Sequence, residues 1–444
     1  MPASAALARP APTGTAAARV STTGRLFISV MLILILEGAL RKWVSSSSTL
    51  PLILLRDLMA AYLVVRSLSL GHFRRQRVML QVMTLWSACV LGWGLLQLAV
   101  GESNFPVLLI GMRFWLLYIW FALAAAAGMS ERDYVAAVRV LLVALLLMAP
   151  LALLQRYSPP GAFVNKTLDG DVEDIFVVIA GVVRTTGTFS FTSGFTVFIN
   201  VCAPFALGAY EARKRKNSQR LFALAALGAI VICTLVSGAR ASFVYAGVML
   251  ALFLLGNLVF APMRRKGIAL ITGVLALLVV GGLSFLFQGA VDAIQERFQV
   301  AAQGEDPTGR IMAIFLGEPA ALERFDWLGV GIGIGSNLAQ YVQTGARVVF
   351  FYAESEAGRT LIEGGVIGVL FILLKLIFIM TGSAVALKRS MQTRAVFPIL
   401  VWATIALAFL TWPAIGQLTA NGLLGVLLGL GLLSLRYPQL RLFA

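Results

Sequence analysis

Histidine is all but missing from this chain. His72 is the one copy among 444 residues, and it lies in the basic patch His72-Phe-Arg-Arg-Gln-Arg77, where plain solvation accounts for it. With no second imidazole, histidine-built metal centres are excluded. Aspartates and glutamates alone could hold a cation, but the run Asp169 to Asp174 reads more simply as a solvated acidic turn, so neither metal nor cofactor is expected. The three cysteines, Cys89, Cys202 and Cys233, all fall inside apolar runs, where they act as small hydrophobes and form no disulfide framework. Acids are scarce as well, 20 against 36 basic residues, giving a net charge of +16. A P-loop lysine is absent from the glycine-rich stretch Gly329 to Asn337, and no βαβ pattern surrounds it, which argues against nucleotide binding. A backbone turn packed close to the membrane is the expected use of those glycines.

What the chain does have is apolar length. Hydrophobic residues make up 59% of it and the mean hydropathy is +0.89, far above the roughly 45–50% apolar content of soluble domains. About twelve runs reach the roughly 20 residues a membrane span requires. They begin near Leu26, Leu50, Val78, Val107, Tyr134, Gly187, Leu221, Ala241, Gly267, Leu361, Ala395 and Thr419. The runs lack the alternation of a barrel, and open sheet edges cannot face lipid, so an all-α polytopic membrane protein is expected. The division that follows is a disordered cytoplasmic tail over 1–25 and spans one to nine over 26–288. A large, partly helical outer loop over 289–360 and three last spans over 361–444 complete it. The small residues Thr15 to Ala18 precede the first apolar run instead of following it, the wrong order for a cleaved signal peptide, so the first span is expected to stay as an anchor.

Charge then sets sidedness. With both termini inside, short inner loops hold the patches Arg74 to Arg77, Arg213 to Arg220, Arg264 to Lys266 and Lys388 to Arg394, as the positive-inside rule requires. Topology thereby explains the basic balance, and nucleic acid is not an expected partner. Two outer connections exceed a tight turn, one from Arg156 to about Thr186 and one of roughly seventy residues up to Thr360. The working face therefore points outward. Glu37, Arg41, Arg56, Asp57 and Arg113 lie in the outer halves of their spans. Arg56 and Asp57 fall roughly 10–12 Å deep at 1.5 Å per residue, which suits a paired intramembrane charge. Arg139 and Lys375 fall toward inner ends, where long stems snorkel to the headgroups.

Arg240 stands between two apolar runs, where a mid-span position would cost roughly 2.5–3.5 kcal/mol. The segment Ser237-Gly-Ala-Arg-Ala241 reads instead as a tight outer turn that lifts Arg240 to the interface. Arg184 precedes a Gly/Thr/Ser-rich start to the sixth span, and Arg310 opens an amphipathic helix in the large loop. Guanidinium is planar, permanently charged and binds phosphate oxygens bidentately, so such groups gathered at a membrane surface suit a lipid-linked diphosphate. Aromatics of the large loop, Tyr352 among them, are candidate sugar platforms or belt anchors.

The order Arg-Thr-Thr-Gly-Thr-Phe from Arg184, Ser-Gly-Ala-Arg-Ala-Ser from Ser237, Gly309-Arg310, Gly-Val-Gly-Ile-Gly from Gly329 and Glu-Gly-Gly-Val-Ile-Gly from Glu363 resembles the bacterial O-antigen polymerase and O-antigen ligase family. The resemblance covers roughly Arg184 to Leu370. The segment from Glu37 to Leu58 is similar to an exopolysaccharide-polymerase subgroup. What the resemblance implies is metal-independent, inverting transfer of a glycan from undecaprenyl diphosphate to an acceptor sugar hydroxyl at the periplasmic face of the bacterial inner membrane. Arg184, Arg240 and Arg310 would hold the diphosphate, with Arg359 and Tyr352 as further substrate contacts. The ligases carry a histidine nine residues before the glutamate matching Glu363; here that position is Glu354. The resemblance thus implies a polymerase with Glu354, or nearby Glu356, as general base. A ligase acting on lipid A core is the alternative within the family, and a lipid-glycan transporter or flippase the alternative outside it. Other polysaccharide-assembly proteins, a flippase and a chain-length regulator, are candidate partners.

Overall fold

The structure, a computed structural model, describes residues 20–167, 178–179, 182–212, 217–260, 306–344 and 353–440, with isolated residues between 262 and 299 and Leu442. It is an all-α polytopic membrane protein. Among the described residues ten helices are long and apolar enough to cross a bilayer, with Phe397–Thr411 as a shorter apolar companion. Helix α1 (Thr22–Ala39) starts inside the expected tail, because Ser21 caps it by accepting from the Gly24 amide, and it runs on into a π turn, Leu40–Val44. Then come α2 (Thr49–Ser69) and α3 (Arg77–Val100). Next, α4 (Phe105–Met112) passes through a second π turn, Arg113–Leu117, into α5 (Tyr118–Gly128). Helix α6 spans Glu131–Tyr157, α7 Thr192–Glu211, α8 Asn217–Ser237 and α9 Arg240–Phe260. The expected ninth span, the remote tail and the acidic run from Asp169 lie largely outside the described residues.

Four short helices follow: α10 (Pro307–Leu316), α11 (Pro319–Glu323), α12 (Asn337–Thr344) and α13 (Glu356–Gly364). The chain ends in α14 (Val366–Thr393), α15 (Phe397–Thr411) and α16 (Leu418–Arg436). The one strand pairing described is a two-residue ribbon, Val178–Ile179 with Val182–Val183. Burial sorts the spans. In α7 and α16, 89% and 78% of the most apolar window is inside the protein, against 17% in α3 and 22% in α2 and α9. The first two form the centre, and the last three spend their apolar faces on lipid, which solvates them as well as protein does.

The long connections gather at one end of the bundle, where Gln97 near the end of α3 meets Leu328 and Gly38 near the end of α1 meets Thr188, and both described chain ends lie at the other. At the latter, Asp133 on the first turn of α6 accepts from the Ser21 amide at 2.7 Å and its hydroxyl at 2.8 Å. Arg139 on the same helix donates to the Leu442 carbonyl. Its guanidinium thus reaches the end of the bundle, as its long stem permits. His72, expected to be merely solvated, is half-buried against Gly128.

The expected tenth span from Leu361 is corrected by a break. Gly365, at φ +53°, separates α13 from α14, and a side chain there would strike the Trp327 carbonyl. The break moves Lys375 from the inner end of a span to about 14 Å below the loop end of α14, at 1.5 Å per residue. Lys375 does not snorkel. It is 9% exposed, its ammonium lies 5.1 Å from the Phe371 ring centre, and it lines a crevice with Ile314, Phe315, Ala357 and Phe409.

Candidate functional site

Two clusters of polar groups occupy the loop end. The first is built from α1, α2 and α4. Arg56 is wholly buried and grips Glu37 through both carboxylate oxygens, at 2.7 and 2.8 Å. Its Nε donates to Asp57 at 3.2 Å. Asp57 in turn accepts from Arg113 Nε at 2.8 Å and the Tyr118 hydroxyl at 2.9 Å. Arg41, one turn after Glu37, adds a contact of 3.6 Å. The pairing of Arg56 and Asp57 expected from sequence is therefore part of a larger knot, and the π turn at Arg113 is where α4 swings a guanidinium into it.

The second cluster forms where α13 meets the glycine-rich loop. Gly329, Gly331 and Gly333 all have positive φ, which lets the backbone lie flat against α4, with Gly333 resting on Gly111. Two buried side chains clamp it. Gln97 donates to the carbonyls of Leu328 and Glu363 at 2.7 and 2.9 Å and accepts from the Ile332 amide at 2.9 Å. The Glu363 carboxylate accepts from the amides of Gly333 and Gly335 at 2.9 and 3.0 Å and from the Trp115 indole at 3.2 Å. Burial pushes the Glu363 carboxyl up to about 7, while those amides and the Arg359 charge hold it from rising further. These glycines thus serve a turn packed on the membrane helices. Glu363 was visible in the sequence through the resemblance alone, since nothing in its spacing announces two amides about 30 residues away.

Glu356 and Glu354, the two candidate bases, part company. Glu356 is buried at 6% exposure and accepts from the Ile415 amide at 3.1 Å through both oxygens, in the turn between α15 and α16. Burial pushes its carboxyl up, opposed by Lys375 and Arg359. It is built into the protein and does not face an incoming acceptor, which corrects its reading as an equivalent of Glu354. Glu354 is exposed, on a turn held by Glu318, which accepts from the amide and hydroxyl of Ser355. Arg359 is fully buried, with its guanidinium over Gly416, where a β-carbon would meet Nη1 at 1.4 Å. Nη2 donates to the Ala353 carbonyl at 3.0 Å, while Nε and Nη1 have no hydrogen-bond partner among the described residues. Tyr352 lies outside the described residues.

The three expected diphosphate arginines all reach the loop end. Arg184 is half-exposed and leads a segment whose Thr185 hydroxyl donates to the Val236 carbonyl at 3.2 Å. That bond sets it against the turn between α8 and α9, where Gly238 has φ +60° and Arg240 opens α9 half-exposed. Arg310 is exposed on α10, which packs against α13 and α15. Among the described residues no three of histidine, cysteine, aspartate and glutamate converge closely enough to hold a metal ion. No protein-family model matches this chain, and no curated protein does.

Proposed function

We propose that the chain is a membrane glycosyltransferase of the polysaccharide-polymerase type, with its loop end facing outward and its termini in the cytoplasm. The donor is a lipid-diphosphate-linked glycan and the acceptor a sugar hydroxyl. One observation carries the reading: the Thr185 to Val236 bond holds the Arg184 segment against the turn bearing Arg240, so two guanidinium groups extend from fixed backbone at one end. Arg310 stands at that same end. Fixed cations aimed at a leaving diphosphate stabilise the charge that grows as the anomeric bond breaks, without reorganising at that moment. Glu354, exposed at this end, accepts the acceptor hydroxyl proton, and a single displacement inverts the anomeric carbon. Water-filled space beyond the membrane offers no nucleotide donor, so the activated lipid supplies both anchor and leaving group.

A transporter or flippase draws support from the charges of Asp57 and Arg113 within the spans, since such charges often mark transport paths. Those charges, however, satisfy one another at 2.8 Å. The test is incubation of purified protein with a lipid-linked repeat unit. A ladder of products is expected, with Arg184→Ala, Arg240→Ala, Arg310→Ala and Glu354→Gln each slowing it by about 100-fold or more while the protein stays monodisperse. Undiminished ladders from the Arg240 and Arg310 variants would remove the arginine site. Transfer to lipid A core would instead indicate a ligase, and movement across liposomes without new bonds a transporter.

A further inference from the structure

Lys42 sits on the π turn that ends α1, 2% exposed, inside the Glu37 to Leu58 stretch. It makes no ion pair among the described residues. Its ammonium donates instead to two neutral oxygens, the Thr186 hydroxyl at 2.8 Å and the Gly187 carbonyl at 2.9 Å. Gln155 on α6 completes the grip: its carbonyl oxygen accepts from the amides of Thr186 and Gly187 at 3.1 and 2.8 Å, and its amide nitrogen donates to the Gly187 carbonyl at 3.0 Å. The Thr188 hydroxyl donates to the Ile35 carbonyl, and a side chain at Gly38 would strike the Thr188 carbonyl. The Thr185, Thr186 and Thr188 hydroxyls, the Gly187 carbonyl and the amides of Thr186 and Gly187 are thus claimed by α1, its π turn, α6 or α8. The residue at the head of that immobilised run is Arg184.

Burying a lysine to hold two uncharged oxygens is expensive, and the expense makes sense where a backbone must be fixed against an arriving anion. Charge-assisted donors hold about twice as strongly as neutral ones, and the π turn supplies the extra residue that aims Lys42 across the helix boundary. Glu37, the nearest acid in sequence, is already occupied by Arg56, so it does not draw Lys42 away.

We propose that Lys42, with Gln155, is a positioning residue for Arg184: it fixes the guanidinium that grips the lipid diphosphate without touching the diphosphate itself. The inference rests on the arginine site proposed above. The experiment measures binding of a short polyprenyl diphosphate to the full chain in nanodiscs, for wild type, Arg184→Ala, Lys42→Met, Lys42→Arg, Gln155→Leu and the Lys42→Met/Arg184→Ala double variant. Lys42→Met and Gln155→Leu are each expected to weaken binding about tenfold, Lys42→Arg by much less, and the double variant no more than Arg184→Ala alone. Hydrogen exchange at residues 185–188 should quicken in Lys42→Met and Gln155→Leu and stay slow in Arg184→Ala. Apparent KM for the acceptor sugar should not move. Weakened binding in Arg184→Ala beside intact binding in Lys42→Met overturns the positioning role and leaves the arginine site standing. Additive losses in the double variant overturn it too, because Lys42 would then act on the ligand directly. Unchanged binding in Arg184→Ala removes the arginine site, and the positioning role with it.

Discussion

Arg56 and Arg359 are both wholly buried at the loop end, yet they are treated in opposite ways. Arg56 has two carboxylates within 3.2 Å and lies inside a knot that also engages Arg113 and Tyr118. Arg359 donates to the Ala353 carbonyl at 3.0 Å, and two of its nitrogens have no hydrogen-bond partner among the described residues. Glu356 and Glu363 feel its charge but spend their oxygens on backbone amides of neighbouring turns. The lesson is that burial alone does not mark a guanidinium as structural. A chelated one closes a fold with a single nitrogen, Nη2 of Arg56, left without a hydrogen-bond partner among the described residues, whereas one balanced at a distance leaves two.

Breaking the closed pair should produce the largest effect. Arg56→Met leaves Glu37 buried with only the longer 3.6 Å contact to Arg41 and is expected to cost about 3 kcal/mol, read as a drop in the melting midpoint of detergent-purified protein. Adding Glu37→Gln to that variant should restore much of the loss, because the cost lies in the stranded charge. A second, smaller effect concerns the acids around Arg359. Glu363 is shifted from 4.5 to about 7 in the folded chain, so the folded form binds its proton more tightly than the unfolded form does. Its contribution therefore favours the fold at low pH, falls as pH rises from about 4.5 to 7, and is flat above. Subtracting the melting profile of Glu363→Gln from that of wild type over pH 4 to 9 should isolate a slope of this sign, worth about 1–3 kcal/mol in all. A flat difference would mean the clamp on Gly333 and Gly335 does not titrate. The smallest effect is expected at Arg359: Arg359→Met forfeits one hydrogen bond and a distant charge whose two acid neighbours are already held by backbone amides, and should cost about 1 kcal/mol, below the Arg56 variant in the same assay.

Sequence patterning was sufficient for the helical class, the sorting of long connections to one end and the pairing of Arg56 with Asp57. Those features follow from local quantities, apolar run length and depth along a span. The same reasoning misplaced Lys375, since the apolar run from Leu361 continues straight through Gly365 and hydropathy does not register a backbone break. Glu356 and Glu354 look interchangeable at two residues apart, yet the Ile415 amide claims the first and solvent the second. That distinction comes from a turn about 60 residues later, which no window on α13 contains. Glu363 and Gln97 escaped for a related reason: each carries the meaning of a hub only once Gly329, Gly331 and Gly333 have bent the loop back onto them.

The central helix, Leu418–Arg436, packs along Tyr118–Gly128, and Asn421 on it donates to the Phe114 carbonyl at 2.9 Å. Translation therefore delivers this helix some 300 residues after the groove it fills. Before that helix packs, lipid is an adequate neighbour for the alanine-rich groove wall, because hydrocarbon tails and leucine side chains are near-equivalent surroundings. The groove is thus a site that a distant segment of the same chain closes.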